Sequence, residues 1–158
     1  MMLNPEIKWF PSKCLMGLKM EMSLTENKTG NLWKEFMTLL NAAEKNARPD
    51  LYSLQIYSPN YFKNFNPSQT FMKWALVEET ASHIQNSSFE KFHLQEGVYA
   101  VFEHKGHDTS VFQRIYAEWL PRSAYVLDDR PHFELLGEKY NLNDSESEEQ
   151  IFIPVRQK

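Results

Sequence analysis

Trp119-Leu-Pro-Arg-Ser-Ala-Tyr-Val-Leu-Asp-Asp-Arg-Pro-His-Phe-Glu-Leu-Leu-Gly137 is the stretch whose reading decides the fold. Pro121 closes a helical pattern, Asp128-Asp129-Arg130 marks a turn held by a local ion pair, and His132 to Leu136 is an apolar run of strand length. Glu134 stands inside that run. A carboxylate is costly to dehydrate, so this position needs solvent, a partner or a function. On a strand Glu134 shares a face with His132 and Leu136, while Phe133 and Leu135 point the other way. The residues leave two readings open. Glu134 faces solvent, or it forms the floor of a partly apolar pocket and meets a cationic ligand or works as an acid–base group with a raised pKa.

Working back from that strand, Thr109 to Trp119 has the spacing of a helix, with Phe112, Ile115, Tyr116 and Trp119 on its apolar face and Asp108 or Thr109 as cap. Val98 to His104 and Phe89 to Leu94 read as strands around a turn at Glu96-Gly97. Working forward, Tyr140 to Glu149 is a polar, acidic loop whose carboxylates (Asp144, Glu146, Glu148, Glu149) are read as solvated. Gln150 to Arg156 is the last strand, and its Pro154 argues for an edge or a sheet end.

The first half has the same order of patterns. Glu6 to Phe10 starts a short strand. Cys14 to Leu24 alternates, with Gly17 suggesting a bulge or a close approach. Asn31 to Glu44 is helical through Leu32, Phe36, Leu39, Leu40 and Ala43. Tyr52 to Tyr57 is a strand, Ser58 to Gln69 a long loop of the kind that edges sites, and Thr70 to Glu79 a further strand. A polar linker spans Thr80 to Ser88. The expectation is one α+β domain over residues 1–158, with pseudo-repeats at about 1–80 and 88–158. Each repeat is a strand–helix–strand–strand unit preceded by a lead-in strand, and a pocket between the halves is favoured.

Composition sets the outer limits. The chain is 42% hydrophobic and 14% aromatic with a net charge of −4, and residues 81–158 carry thirteen Asp/Glu against eight Lys/Arg. No basic patch stands out, so direct nucleic-acid binding is not expected. A single cysteine, Cys14, allows no internal disulfide and reads as a buried strand thiol. No signal peptide and no membrane-length apolar run is present, which makes a cytoplasmic protein the default. The histidines (His83, His93, His104, His107, His132) follow no metal-ligand spacing, and no phosphate loop or nucleophile elbow appears. No metal or cofactor is therefore expected. Tyr99, with a hydroxyl able to serve a ligand, and Trp74, alternating with Met72 and Leu76, are read as core or as cavity lining. Tyr52 and Tyr57 fall on opposite faces, so at most one faces a cavity.

Tyr99-Ala-Val-Phe-Glu-His-Lys-Gly106, Pro131-His-Phe-Glu134 and the run from Phe112 to Val155 resemble the gyrase-inhibitor-like small-molecule-binding domain. Met72-Lys-Trp-Ala-Leu-Val77 is a weaker match. That domain is also the effector-binding part of certain AraC-type and multidrug-responsive bacterial transcription regulators. The resemblance implies a concave antiparallel sheet made of the duplicated unit, with a central ligand cleft and a strand glutamate that binds aromatic cations. The glutamate falls on Glu134, with Tyr99 and Trp74 as further cleft candidates. It implies a stand-alone binder of small aromatic, cationic or apolar molecules, serving drug sensing or toxin resistance. Its alternatives are a hydrolase opening the strained rings of toxic alkylators, with Glu134 and Tyr99 as catalytic pair, and a protein-interaction module such as a gyrase modulator or an effector subunit. A protein partner or a homodimer fits any of these.

Overall fold

The structure, a computed structural model, describes residues 3–43, 49–79, 88–106, 108–137, 140 and 146–158, apart from the side chains of 41–43. The linker expected at 80–88 lies almost wholly outside the described residues, as do His83, His107 and Asp144. Nine strands are described: β1 (Glu6–Phe10), β2 (Lys13–Met22), β3 (Leu51–Ile56), β4 (Phe71–Glu78), β5 (Glu90–Leu94), β6 (Gly97–Lys105), β7 (Tyr125–Leu127), β8 (His132–Leu136) and β9 (Glu148–Gln157). Helix α1 (Thr29–Ala43) lies between β2 and β3. A helical run of α2 (Ser110–Arg114), a π-helical turn (Ile115–Trp119) and α3 (Leu120–Arg122) follows β6. The fold is α+β.

All pairings are antiparallel, in the order β1-β6-β9-β8-β3-β4-β2-β5, with β7 added on β9. The sheet is open. Register fixes its two faces. Glu134 lies opposite Ser53 and Ile151, Ser53 opposite Ala75, and Ala75 opposite Leu18, so these side chains share one face. Both helices cover that face. Leu32, Trp33, Phe36 and Leu40 of α1 pack on Met22, Leu51, Phe71, Ala75, Val77 and Leu136. Val111 and Ile115 pack on Ala100, Phe102, Ile151, Ile153 and Val155. The opposite face has its own core of Leu15, Tyr52, Leu54, Trp74, Leu76, Tyr99, Phe133 and Phe152.

Four expectations need correction. Pro121 does not end the helix. The Leu120 N–H donates to the Ile115 carbonyl, the wider spacing of a π turn, and the run closes one residue past the proline at Arg122. A proline in the first positions of a new turn has no N–H to waste, so it is tolerated there. Pro154 is not at an edge. It stands inside β9 between the residues paired with β8 (150–152) and those paired with β7 (155–157), where one side of the ladder is open. β7 was missed because three partly buried residues carry no readable period. Cys14 is exposed, since it stands at the β2 end beyond the reach of α1.

Gly17 meets its expected close approach, because a Cβ there would collide with the Ala75 backbone carbonyl of β4. Gly17→Ala is expected to cost about 1–3 kcal/mol through overpacking. Thermal melting would show this as a fall of roughly 2–10 °C, and an unchanged midpoint would contradict it.

Candidate functional site

The site rises from the middle of the helix-bearing face. β8 contributes His132 and Glu134, β3 contributes Ser53 and Gln55, β4 contributes Lys73, and β9 contributes Glu149. Lys73, Gln55 and His132 form one row across three strands, with Ser53 and Glu134 in the next row. Ser53, Gln55, His132 and Glu149 are all buried, Glu149 to 7% exposure. The polar groups satisfy one another. With the Gln55 amide turned so that its oxygen faces Lys73, the Lys73 ammonium donates to that oxygen at 2.6 Å and the amide nitrogen donates to the His132 carbonyl at 3.0 Å. Glu149 Oε1 lies 3.0 Å from His104 Nδ1, and Glu149 also hydrogen-bonds Glu134.

Aromatic rings border this floor. Tyr57 follows β3 directly, and its ring meets His132, Tyr61, Phe62 and Phe71. The Tyr116 hydroxyl, from the π-helical turn, lies 2.7 Å from His132 Nδ1. Phe62, from the β3–β4 loop, stacks on Tyr116 (centroids 4.7 Å, planes 28° apart) and on His132 (5.5 Å, 21°). The loop read as a site edge therefore delivers an aromatic ring to the site.

The model of the GyrI-like small molecule binding domain matches residues 3–156 of this chain. The chain belongs to that family. Three solved structures show the GyrI-like fold at low identity. A putative bacterial transcription regulation protein from Staphylococcus aureus MU50 is 14% identical, with 98% of this chain and 99% of that one covered and a TM-score of 0.69. SAV2435, solved bound to tetraphenylphosphonium, is 16% identical, with 98% and 94% covered and a TM-score of 0.68. The EcmrR C-terminal domain is 13% identical, with both chains fully covered and a TM-score of 0.63. No curated protein sequence matches the chain significantly. Among the described residues, no helix is long and apolar enough to cross a membrane.

The electrostatics of this GyrI-like face follow from dehydration. Burial, then the neighbouring Glu134, pushes the Glu149 carboxyl up to about 9, so near neutral pH it carries a proton. Two adjacent carboxyls in a dry setting cannot both ionise cheaply. Burial lowers the pKa of Lys73, while Glu134 and Glu149 pull it back up. Burial, helped by Arg130, drops His132 to about 3, so its ring is neutral. Burial also raises the Tyr57 and Tyr116 phenols, which keep their protons as donors. The face thus holds a lysine whose charge is disfavoured by burial and favoured by two neighbouring glutamates, a protonated Glu149 hydrogen-bonded to Glu134, and several neutral hydrogen-bonding groups.

Of the three residues expected at the site, the structure places Glu134 here and the other two elsewhere. Tyr99 is fully buried on the opposite face among Phe10, Phe133 and Phe152, with the Arg130 guanidinium 4.6 Å over its ring. Trp74 lies on that same far face, against Phe92 and beneath the Lys19 ammonium. Strand parity is the reason, since both residues are in register with side chains of the far face and neither meets Glu134. Of Tyr52 and Tyr57, it is Tyr57 that stands at the site.

Sequence reasoning missed Glu149, Lys73 and Gln55. Glu149 ends an acidic run of loop character, yet it begins the parity Glu149, Ile151, Ile153, Val155, an acid on an apolar strand face. Lys73 interrupts the parity Phe71, Ala75, Val77 in the same way. Both carried the signal that singled out Glu134. A separate cavity of about 570 Å³ opens beyond β6, lined by Leu3, Glu6, Phe102, His104, Asp108 and Arg114 among others. His104 is common to that cavity and to the Glu149 contact.

Proposed function

We propose that this GyrI-like domain is a binder of small, flat aromatic molecules, taken into a cleft between two duplicated halves on the helix-bearing face, with Glu134 as its polar anchor. The observation that carries the reading is the Phe62 ring lying over the adjoining Tyr116 and His132 rings, whose centroids are 5.9 Å apart, on the face that also holds Glu134, buried Glu149 and Lys73. A planar ligand that displaces this loop side chain inherits its contacts with both rings. The strand order favours two related halves, since β6-β9-β8 and β2-β4-β3 run inward with matching partners, while the lead-in strands are exchanged, β1 pairing with β6 and β5 with β2. Tetraphenylphosphonium bound to SAV2435, a protein of the same fold, is an aromatic guest, though a tetrahedral cation and not a flat molecule. Drug sensing or toxin resistance in the cytoplasm suits such a binder, acting alone, as a homodimer, or with a regulator or gyrase as partner.

The test is Glu134→Gln against a panel of fluorescent aromatic dyes that carry hydrogen-bond donors or positive charge. Losing the anionic acceptor is expected to weaken bound dyes by about tenfold. Unchanged affinity across the panel would rule out Glu134 as anchor.

The hydrolase reading gains from one observation, namely Glu149. It is a protonated carboxyl next to Glu134, which fits a general acid in the place once given to Tyr99. Mass spectrometry over time with cyclopropane-bearing alkylators decides it. Ring opening that is lost in Glu149→Gln supports the reading, and no turnover above background ends it.

A further inference from the structure

Lys73 is a basic side chain on the floor, in the row beside the acidic Glu134. It lies on β4 in the row of Gln55 and His132, directly beside the row of Glu134. Its ammonium is held from the strand floor by the Gln55 amide oxygen, whose own nitrogen is tied to the His132 carbonyl. Lys73 is therefore anchored in the sheet, whereas Phe62 sits on a loop. The groups facing Lys73 from the neighbouring strands are Gln55 and Ser53 of β3, His132 and Glu134 of β8, and Glu149 of β9.

We propose that Lys73 is a specificity-determining residue that makes the site select neutral flat aromatics, with an N–H or O–H donor for Glu134 and a carbonyl-type acceptor for Lys73, over permanent aromatic cations. The inference deepens the binding reading above and rests on it. A permanent cation at Glu134 comes within Coulombic range of the Lys73 ammonium in a site poorly screened by water, and each further charge there is felt strongly. A neutral donor–acceptor guest meets both charges with complementary hydrogen bonds and leaves the carboxylate–ammonium balance intact.

The test uses two fluorescent three-ring probes, acridone and N-methylacridinium, titrated near neutral pH into wild type, Lys73→Gln and Lys73→Met. Both have the same planar outline. Acridone carries one N–H donor and one carbonyl acceptor, and N-methylacridinium carries a fixed charge and no donor. Wild type is expected to bind acridone roughly tenfold more tightly than the cation. Both variants are expected to bind the cation roughly tenfold more tightly than wild type does, and acridone more weakly, so that the ratio inverts. Two variants and a thermal melt of each separate a lost contact from a lost fold. Binding of both probes with the ratio unchanged in the folded variants overturns the inference alone. Absence of binding of either probe by wild type and both variants overturns the aromatic-binding reading and the inference with it.

Discussion

Arg130→Met is expected to lower stability by about 3 kcal/mol, seen as a fall of roughly 6–12 °C in the melting midpoint. The expected turn ion pair exists, with Arg130 Nε donating to Asp128 Oδ2 at 2.6 Å, but it is not a surface pair. The arginine side chain is 10% exposed, and its Nη2 donates to the Val98 carbonyl at 2.6 Å and reaches the Val155 carbonyl at 3.4 Å. One guanidinium thus joins the β7–β8 turn to β6 and β9 and covers Tyr99. Gly97 makes room for it, since a Cβ there would occupy the guanidinium's place. Methionine keeps some of the packing but leaves strand carbonyls without a donor. Asp128→Asn serves as control. Its carboxylate is 35% exposed and regains water, so a loss of no more than about 1 kcal/mol is expected. A midpoint for Arg130→Met within a degree or two of wild type would show that the guanidinium does not tie these strands together.

Glu149 is expected to make the protein less stable as pH rises, the reverse of an ordinary carboxylate. Its folded pKa, about 9, lies above the ordinary 4.5, so between those values the folded state holds a proton that the unfolded state has released. The stabilising contribution is complete below about 4.5 and is lost as pH climbs towards 9. The groups facing this carboxyl are Glu134 on β8, Lys73 on β4 and His104 on β6. Glutamine copies the protonated form. Glu149→Gln is therefore expected to match wild type near pH 5 and to exceed it by on the order of 2 kcal/mol near pH 8.5, as urea unfolding at both pH values would read. A wild type whose stability rises steadily over that range, or a variant with the same slope, would refute the assignment. His132 governs the acid side. Its folded pKa of about 3 lies below the ordinary 6.5, so its contribution is present above 6.5 and is lost as pH falls from there towards 3.

Much of the chain was legible because its signals are local. The alternation in 14–24 and 52–57, the apolar run at 132–136 and the helical period in 31–44 match β2, β3, β8 and α1 to within a few residues at each end. The misses are places where a local rule met a tertiary exception. Pro121 is carried by a π turn, Pro154 stands in a gap between two partner strands, and Glu149 belongs to a strand that begins inside an acidic run. Glu134 stood out because its neighbours in sequence are apolar. Its neighbours in space come from three other strands and from a loop, and no spacing in the chain predicts them.

By itself, the sequence determined the strands and helices, the α+β class, the family resemblance and the oddity of one strand glutamate. Hydrophobic periodicity and family patterns are properties of consecutive residues. Only the tertiary structure decided which face each strand buries and which side chains meet there. Register, not spacing, put Lys73, Gln55, Glu149 and Glu134 together on the helix-bearing face and moved Tyr99 and Trp74 to the far side of the sheet. The physical reason is the period of two. A strand displays two faces of equal standing, and long-range pairing and helix docking set what each face meets.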